Sequence, residues 1–377
     1  MEKLIRERCV LTNDTEMEDL FIQNNVPIFM GTTNNGANCD LRSNLHWQIN
    51  KNSGMIQLKH LIDLEFLYKE SHNSGLVGKI WENHHTKFAE FINEYKPKKI
   101  LEIGGSHGAL FNKYCDLYGP INSWTIVDIN TQEKINKMAQ FISTNFDYSF
   151  KYNVEFDTIV HSHFFEHVYE PDLIMKKFSE MISLGEKKMI FSIPNMESML
   201  KNKYSNCLNF EHTYFFSEPY VEYLLHKYDF KIIKKQYFLN NHSIFYCVHK
   251  GCVLEKKELQ TDLYYHNKNT FNQYIEHYTN IVKKINNSSC EFYLFGAHIF
   301  SQNLFNFGLN ESKIKFILDN DINKINKRLY GSSLFIKSPN DLKNKSNPNI
   351  ILCAGAYNEE IKSQIVNINP TAVFYEF

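Results

Sequence analysis

The sequence predicts an α/β protein built on a doubly wound, mainly parallel sheet, with a small β-rich module before it and a second α/β unit behind it. From about residue 80 onward, apolar runs of strand length alternate with amphipathic stretches of helix length, the pattern of strands joined by crossover helices. One of these runs, Lys99-Ile100-Leu101-Glu102-Ile103, passes straight into Gly104-Gly105-Ser106-His107-Gly108, and a strand that stops in glycines lets backbone approach a ligand closely. After residue 290 the same strand, turn and helix logic returns. That predicts a second Rossmann-like unit.

Each element follows in order. Residues 1–70 lack regular periodicity, and Asn34-Asn35-Gly36 and Asn52-Ser53-Gly54 mark turns between short extended runs such as Met55-Ile56-Gln57-Leu58. Ile80, Trp81, Phe88 and Phe91 fall at helical spacing, so a helix over 81–95 leads into the first strand. Ser123 to Asp128 reads as the second strand, then come an amphipathic stretch and a strand at Phe156-Asp157-Thr158-Ile159-Val160. Helices are expected over 172–182 and 219–227, and strands at Lys188 to Ile193, Phe230 to Ile233 and Ser243 to Val248. A helical connection over about 256–284 leads into Glu291 to Ala297, a strand with a tight turn at Gly296. Helix 300–307, strand Lys315 to Asp319, strand Asn349 to Ala354 and helix 359–365 complete the chain. The expected division is 1–70, 71–255 and 256–377.

At 377 residues the chain exceeds one ordinary core. A formal net charge of −1 leaves no electrostatic footprint for nucleic acid or an anionic membrane. The mixed charges of Met1-Glu2-Lys3-Leu4 do not read as a signal peptide, and no apolar run approaches spanning length. A cytoplasmic protein is expected. Eight cysteines without a C-x-x-C pair read as reduced, mostly buried thiols.

The glycine turn discriminates between ligands by its spacing. A dinucleotide fingerprint counted from Gly104 needs glycine where this chain has Ser106 and Ala109. What stands is Glu102-x-Gly104-x-Ser106-x-Gly108, which resembles the first motif of class I S-adenosylmethionine-dependent methyltransferases, with Ser in place of the middle glycine. A ligand without phosphate but with a ribose diol asks for a second acid about 20 residues onward, and Asp128 supplies it. Three histidine-bearing clusters fall where strands of the central sheet end or before it: Ser71 to Gly75, His161-Ser162-His163-Phe164-Phe165-Glu166-His167, and Asn209-Phe210-Glu211-His212. Histidine titrates near neutrality and suits acid–base work.

Together with Gln57-Leu58, Leu67-Tyr68 and Phe295-Gly296-Ala297, these motifs make nearly the whole chain similar to the nucleotide-sugar C-methyltransferase family. The resemblance implies methyl transfer from S-adenosylmethionine to a carbon beside the ketone of a nucleotide-linked sugar. It implies His167, Glu211 and His212 as catalytic residues, with Glu211 or His212 the base. For the cofactor it implies Glu102, Gly104, Gly105, Ser106, Gly108, Asp128, Ile129 and Asp147, with His161 and Ser162 lining the pocket. The acceptor would lie between the central and C-terminal units.

Two departures stand against the family pattern. Its zinc-binding N-terminal module usually has two C-x-x-C pairs, whereas here the matching positions are Cys9, Thr12, Asn50 and Ser53, so no metal is expected. Tyrosines of the family site are expected to be replaced, by Asn209 and by His72 or Asn73. O- or N-methylation of a small acceptor, and a binding protein that keeps the fold without turnover, remain alternatives. Asp319 reads equally as a ribose-binding acid or a surface residue.

Overall fold

The computed structural model describes residues 3–68, 78–129, 139–151, 153–182, 186–253 and 257–376. In the N-terminal unit β1 (Lys3–Ile5) pairs with β6 (His60–Ile62), and β2 (Met17–Pro27), β4 (Arg42–Asn50) and β5 (Ile56–Leu58) form an antiparallel meander. The expected turn at Asn52 to Gly54 joins β4 to β5, with Gly54 at φ +68°. A Cβ there would sit 2.5 Å from the backbone of Leu263, so glycine lets a later helix pack against the turn. Asn50 Oδ1 accepts from the Ser53 amide and hydroxyl at 2.8 Å each, and Ser53 Oγ lies 3.3 Å from Cys9 Sγ. Cys9, Asn50 and Ser53 thus interlock by hydrogen bonds.

Short helix α1 (Leu64–Tyr68) ends this unit, and the predicted loop at 71–75 with His72 and Asn73 lies outside the described residues. Helix α2 (Lys79–Asn93) begins two residues earlier than its spacing suggests and buries His84, Phe88, Phe91 and Ile92, an i, i+4, i+7, i+8 stripe.

The central sheet has seven strands: β7 (Lys99–Ile103), β8 (Ser123–Asp128), β9 (Gln140–Ser143), β10 (Thr158–Ser162), β11 (Lys188–Pro194), β12 (Phe230–Phe238) and β13 (Ser243–Lys250). Their order is β12-β13-β11-β10-β7-β8-β9, with β13 antiparallel to both neighbours and the others parallel. Helices α3 (Ala109–Tyr118), α4 (Pro171–Met181), α5 (Met196–Lys201) and α6 (Glu218–Lys227) complete the unit. Leu101, Ile103, Phe178 and Phe191 are in the core of one sheet face, and Phe88, Ile100, Trp124 and Phe245 in that of the other.

In the central sheet two strand readings need correction, and in the C-terminal sheet Ile336–Lys337 and Val373–Glu376 are further strands that the sequence reading left out. Strand β9 went unpredicted because it is a half-exposed edge strand and shows no apolar run. The strand expected at 156–160 runs from Thr158 to Ser162, because the Asp157 carboxylate caps the amides of Lys98 and Lys99 and sets Thr158 opposite Ile100. His161 and Ser162 therefore lie within the strand rather than after it.

Helix α7 (Leu263–Asn287) leads into a five-stranded parallel sheet of β14 (Phe292–Phe295), β15 (Ile314–Leu318), β17 (Ile336–Lys337), β18 (Asn349–Leu352) and β19 (Val373–Glu376), flanked by α8 (Ile299–Asn306) and α9 (Asn358–Ile368). Its order, β17-β15-β14-β18-β19, repeats the 3-2-1-4-5 core of the central sheet. The remaining strand, β16 (Arg328–Leu329), pairs with β3 (Thr32–Thr33) of the N-terminal unit. One hydrophobic core runs from Leu45 and Trp47 through Phe215 and Phe271 to Leu294 and Ile317. At this seam the Arg328 guanidinium meets both Asp40 carboxylate oxygens, at 2.6 and 2.7 Å.

Candidate active site

Open α/β sheets bind ligands beyond the carboxyl ends of their strands, where the strand order reverses. Here both reversals face one cavity of about 1420 Å³, lined by Gly104, Asp128 and Ser162 at the carboxyl ends of β7, β8 and β10, and by Gly296, Asp319 and Ala354 just after β14, β15 and β18. The two turns have the same construction. Gly104 (φ +74°) donates its amide to Val127 O at 2.8 Å, and Ser106 N donates to Asp128 Oδ2 at 2.8 Å. Gly296 (φ +105°) donates to Leu318 O at 2.8 Å, and Ala297 N donates to Asp319 Oδ2 at 2.8 Å. Asp319, left open between two readings by the sequence, is a buried cavity-wall acid ion-paired with Lys324 at 3.2 Å.

The residues expected at the cofactor site divide into two groups. Gly104, Ser106, Asp128, Ile129, Asp147 and Ser162 line the cavity. Glu102, Gly105, Gly108 and His161 are not among its lining residues. Glu102 is 2% exposed, accepts from Trp124 Nε1 at 2.7 Å, and lies so close under Gly105 that a Cβ there would stand 2.7 Å from its carboxyl carbon. It supports the loop from beneath, because strand alternation points residue 102 to the face of Ile100. Burial, with Asp128 adding to it and the Trp124 N–H partly offsetting it, pushes its carboxyl up to about 7. His161 is fully buried and stacks on Phe178 and Phe191 at 5.4 and 4.8 Å, so its expected place in the pocket is corrected to the sheet core. Gly108 (φ +70°) is the left-handed residue that starts α3.

The three expected catalytic residues do come together. Phe165 to His167 form a single 3₁₀ turn after β10, and Glu211 and His212 face it from a loop in which Asn209 Oδ1 accepts both of their amides at 2.8 Å. This turn is the sequence-visible role of Asn209: its side chain mimics a backbone acceptor. His167 Nδ1 lies 4.0 Å from Glu211 Oε2, and the His167 and His212 rings are 5.1 Å apart.

Three partners that the sequence motifs contain, but to which the sequence assigned no place in the catalytic set, surround these residues. Tyr68 Oη hydrogen-bonds His167 Nδ1 at 2.8 Å, which places at the site a tyrosine other than those expected to be replaced. Glu166, 1% exposed, lies 3.2 Å from His163 Nδ1 and 3.9 Å from His167 Nε2. His163, at φ +50°, packs its ring edge-on against Trp81. Only the proximity of Tyr68 and His167 to motif residues signalled them, since 99 positions separate the pair.

Burial sets the electrostatics. It raises the Glu166 and Glu211 carboxyls to about 7, and lowers the His167 and His212 imidazoles to about 4 and His163 to about 3. At neutral pH the histidines are uncharged, while the two acids sit near their midpoints, where a carboxylate is best matched to proton abstraction.

Residues 80–235 match the family model of a methyltransferase domain. The matched span contains the loops of His167 and of Glu211 and His212 as well as the Gly104 turn. No curated protein matches the chain. Among solved structures, human N-acetylserotonin methyltransferase in complex with SAM is 15% identical over 46% of this chain and 53% of that one, with a TM-score of 0.38. A putative O-methyltransferase from Nostoc punctiforme is 16% identical over 45% and 57%, TM-score 0.37. The N-methyltransferase NodS from Bradyrhizobium japonicum, in complex with S-adenosyl-L-homocysteine, is 12% identical over 46% and 88%, TM-score 0.35. The chain spans about half the length of the first of these. Among the described residues no helix is long and apolar enough to cross a membrane.

Proposed function

We propose that the protein transfers a methyl group from S-adenosylmethionine to a nucleotide-linked sugar, in a chain organised as units 1–70, 71–255 and 256–377. The observation that carries this reading is the single cleft onto which both switch points open, with Tyr68, His167, Glu211 and His212 in its wall. The donor fits the Gly104 turn: Gly104 borders the cavity with no side chain of its own, Phe164 packs so close that a Cβ there would come within 3.0 Å of it, and Asp128 offers a carboxylate at the wall for ribose hydroxyls. Ser106, Ile129 and Asp147 complete the donor side, and Ser162 the end of β10. When bound, S-adenosylmethionine supplies an electrophilic methyl on a sulfonium. The second turn, with Asp319 and Lys324, suits the nucleoside and diphosphate of the acceptor.

Glu211 is the base. It borders the cavity, and its raised carboxyl is half ionised near pH 7. For methylation at carbon, Glu211 takes the proton beside a ketone, the carbon electron pair attacks the methyl, and the sulfonium leaves as a neutral thioether. The enolate oxygen gains from neutral N–H and O–H donors aimed at it, the role assigned to His167 and His212. Tyr68 fixes the His167 ring through Nδ1.

Incubating a panel of nucleotide sugars with labelled S-adenosylmethionine tests the reading by mass spectrometry. One added methyl on carbon is expected, with deuterium exchange at the same carbon in the absence of donor. A methyl on oxygen or nitrogen without exchange overturns the enolate route, and failure to bind S-adenosylmethionine at millimolar concentration overturns the activity.

A further inference from the structure

The acid–base cluster contains more ligating atoms than the proposed proton transfer uses. Glu166, His167 and His212 each present a donor atom, and the three atoms lie within 4.8 Å of one another. Two of these side chains carry buried polar atoms with no hydrogen-bond partner among the described residues: Glu166 Oε2 and His212 Nδ1. A buried carboxylate oxygen and a buried imidazole nitrogen left unpaired each cost free energy on the order of 1–3 kcal/mol. All three residues line the cavity, and Glu166 is buried to within 1%. The third ligand is already oriented, because Tyr68 holds His167 at Nδ1 and leaves Nε2 turned toward Glu166. A metal-bound histidine is commonly fixed through its other ring nitrogen in this way.

We propose that Glu166, His167 and His212 bind a divalent transition-metal ion of the zinc class at the acceptor end of the cleft. Two imidazoles and one carboxylate are borderline donors that favour such ions over magnesium or calcium, which take oxygen ligands. Ligand bonds of about 2.1 Å place donors roughly 3.4 Å apart in a tetrahedron, so side-chain rotations of about 1 Å close the set. Three protein ligands leave a position open toward the cavity. There the ion would hold and polarise an acceptor oxygen in place of the His167 and His212 N–H groups, a role that rests on the methyl-transfer reading; the site itself does not.

The test uses the full chain, stripped with chelator and titrated with Co²⁺ while its visible absorption is followed, then with Zn²⁺ in competition. One equivalent of Co²⁺ is expected to bind with a d–d spectrum of nitrogen and oxygen ligation, displaced stoichiometrically by Zn²⁺ and unaffected by millimolar Mg²⁺. Glu166→Gln, which keeps the side-chain shape, and His212→Gln should each weaken Co²⁺ binding by about 100-fold or more, and Tyr68→Phe by about 10-fold. Calorimetric binding of S-adenosylmethionine reports that each variant is folded. Binding of Zn²⁺ no tighter than millimolar, or unchanged in the folded Glu166→Gln protein, overturns the proposal. Metal binding without methyl transfer refutes the assigned reaction and leaves the site standing.

Discussion

Replacing Glu102 by Gln should stabilise the protein progressively as pH rises from about 4.5 to 7, and fully above that. Glu102 is the acid of the opening motif, yet it is 2% exposed and accepts a hydrogen bond from Trp124 Nε1. A Gln carbonyl accepts that bond equally. Burial raises the carboxyl from 4.5 to about 7. Between those values the native state holds a proton that the unfolded chain has released, so stability falls as pH rises through this window. The full loss above pH 7 is the pKa difference times 1.36 kcal/mol, on the order of 3 kcal/mol. Gln pays none of it. At pH 8 the variant should therefore melt several degrees higher, at about 2–4 °C per kcal/mol for a domain of this size, and at about pH 4, below both values, it should match the parent. Affinity for S-adenosylmethionine should change less than about threefold, because the carboxylate lies under the loop and not in the cavity. Differential scanning calorimetry at the two pH values, with ligand titration at each, measures both. Equal melting at pH 8, or a tenfold loss of donor affinity, would refute the assignment of Glu102 as a buried support.

Other expectations follow from the same geometry. Asp128→Asn keeps the bond from Ser106 N but removes the charge facing the cavity, and donor affinity measured by calorimetry should drop about 10- to 100-fold, the worth of a charged hydrogen bond. With Glu211 as base and its carboxyl near 7, kcat/KM should rise tenfold per unit below pH 7 and level off above it; a flat profile from pH 5.5 to 8 would exclude Glu211. Asp40→Ala strands Arg328, whose side chain is 7% exposed, and should cost about 3–5 kcal/mol in denaturant unfolding. A loss below 1 kcal/mol would mean that the seam between β3 and β16 contributes little.

The fold was legible wherever one strand carries a continuous apolar run. Buried parallel strands such as Lys99–Ile103 and Asn349–Leu352 announce themselves because both faces are covered. Edge strand Gln140–Ser143 did not, because half of its surface meets solvent. Within the site, the residue types in the motifs were correct markers of place but poor markers of direction. Glu102 and Gly104 are two residues apart, yet one supports the loop and the other borders the cavity, and His161 and Ser162 divide in the same way.

By itself the sequence determined a glycine turn after a buried strand, an acid ending the next one, and two histidine-bearing loops at the strand ends, since these depend on spacing along one chain. Which atoms face the ligand was decided only by the tertiary structure. Pairing register set Thr158 opposite Ile100 and drew His161 into the core; packing of the N-terminal unit brought Tyr68 onto His167; and the shared core aimed the Gly296 and Asp319 turn at the same cleft. Such contacts join segments about 60 to 200 residues apart, and local propensity along the chain carries no information about them.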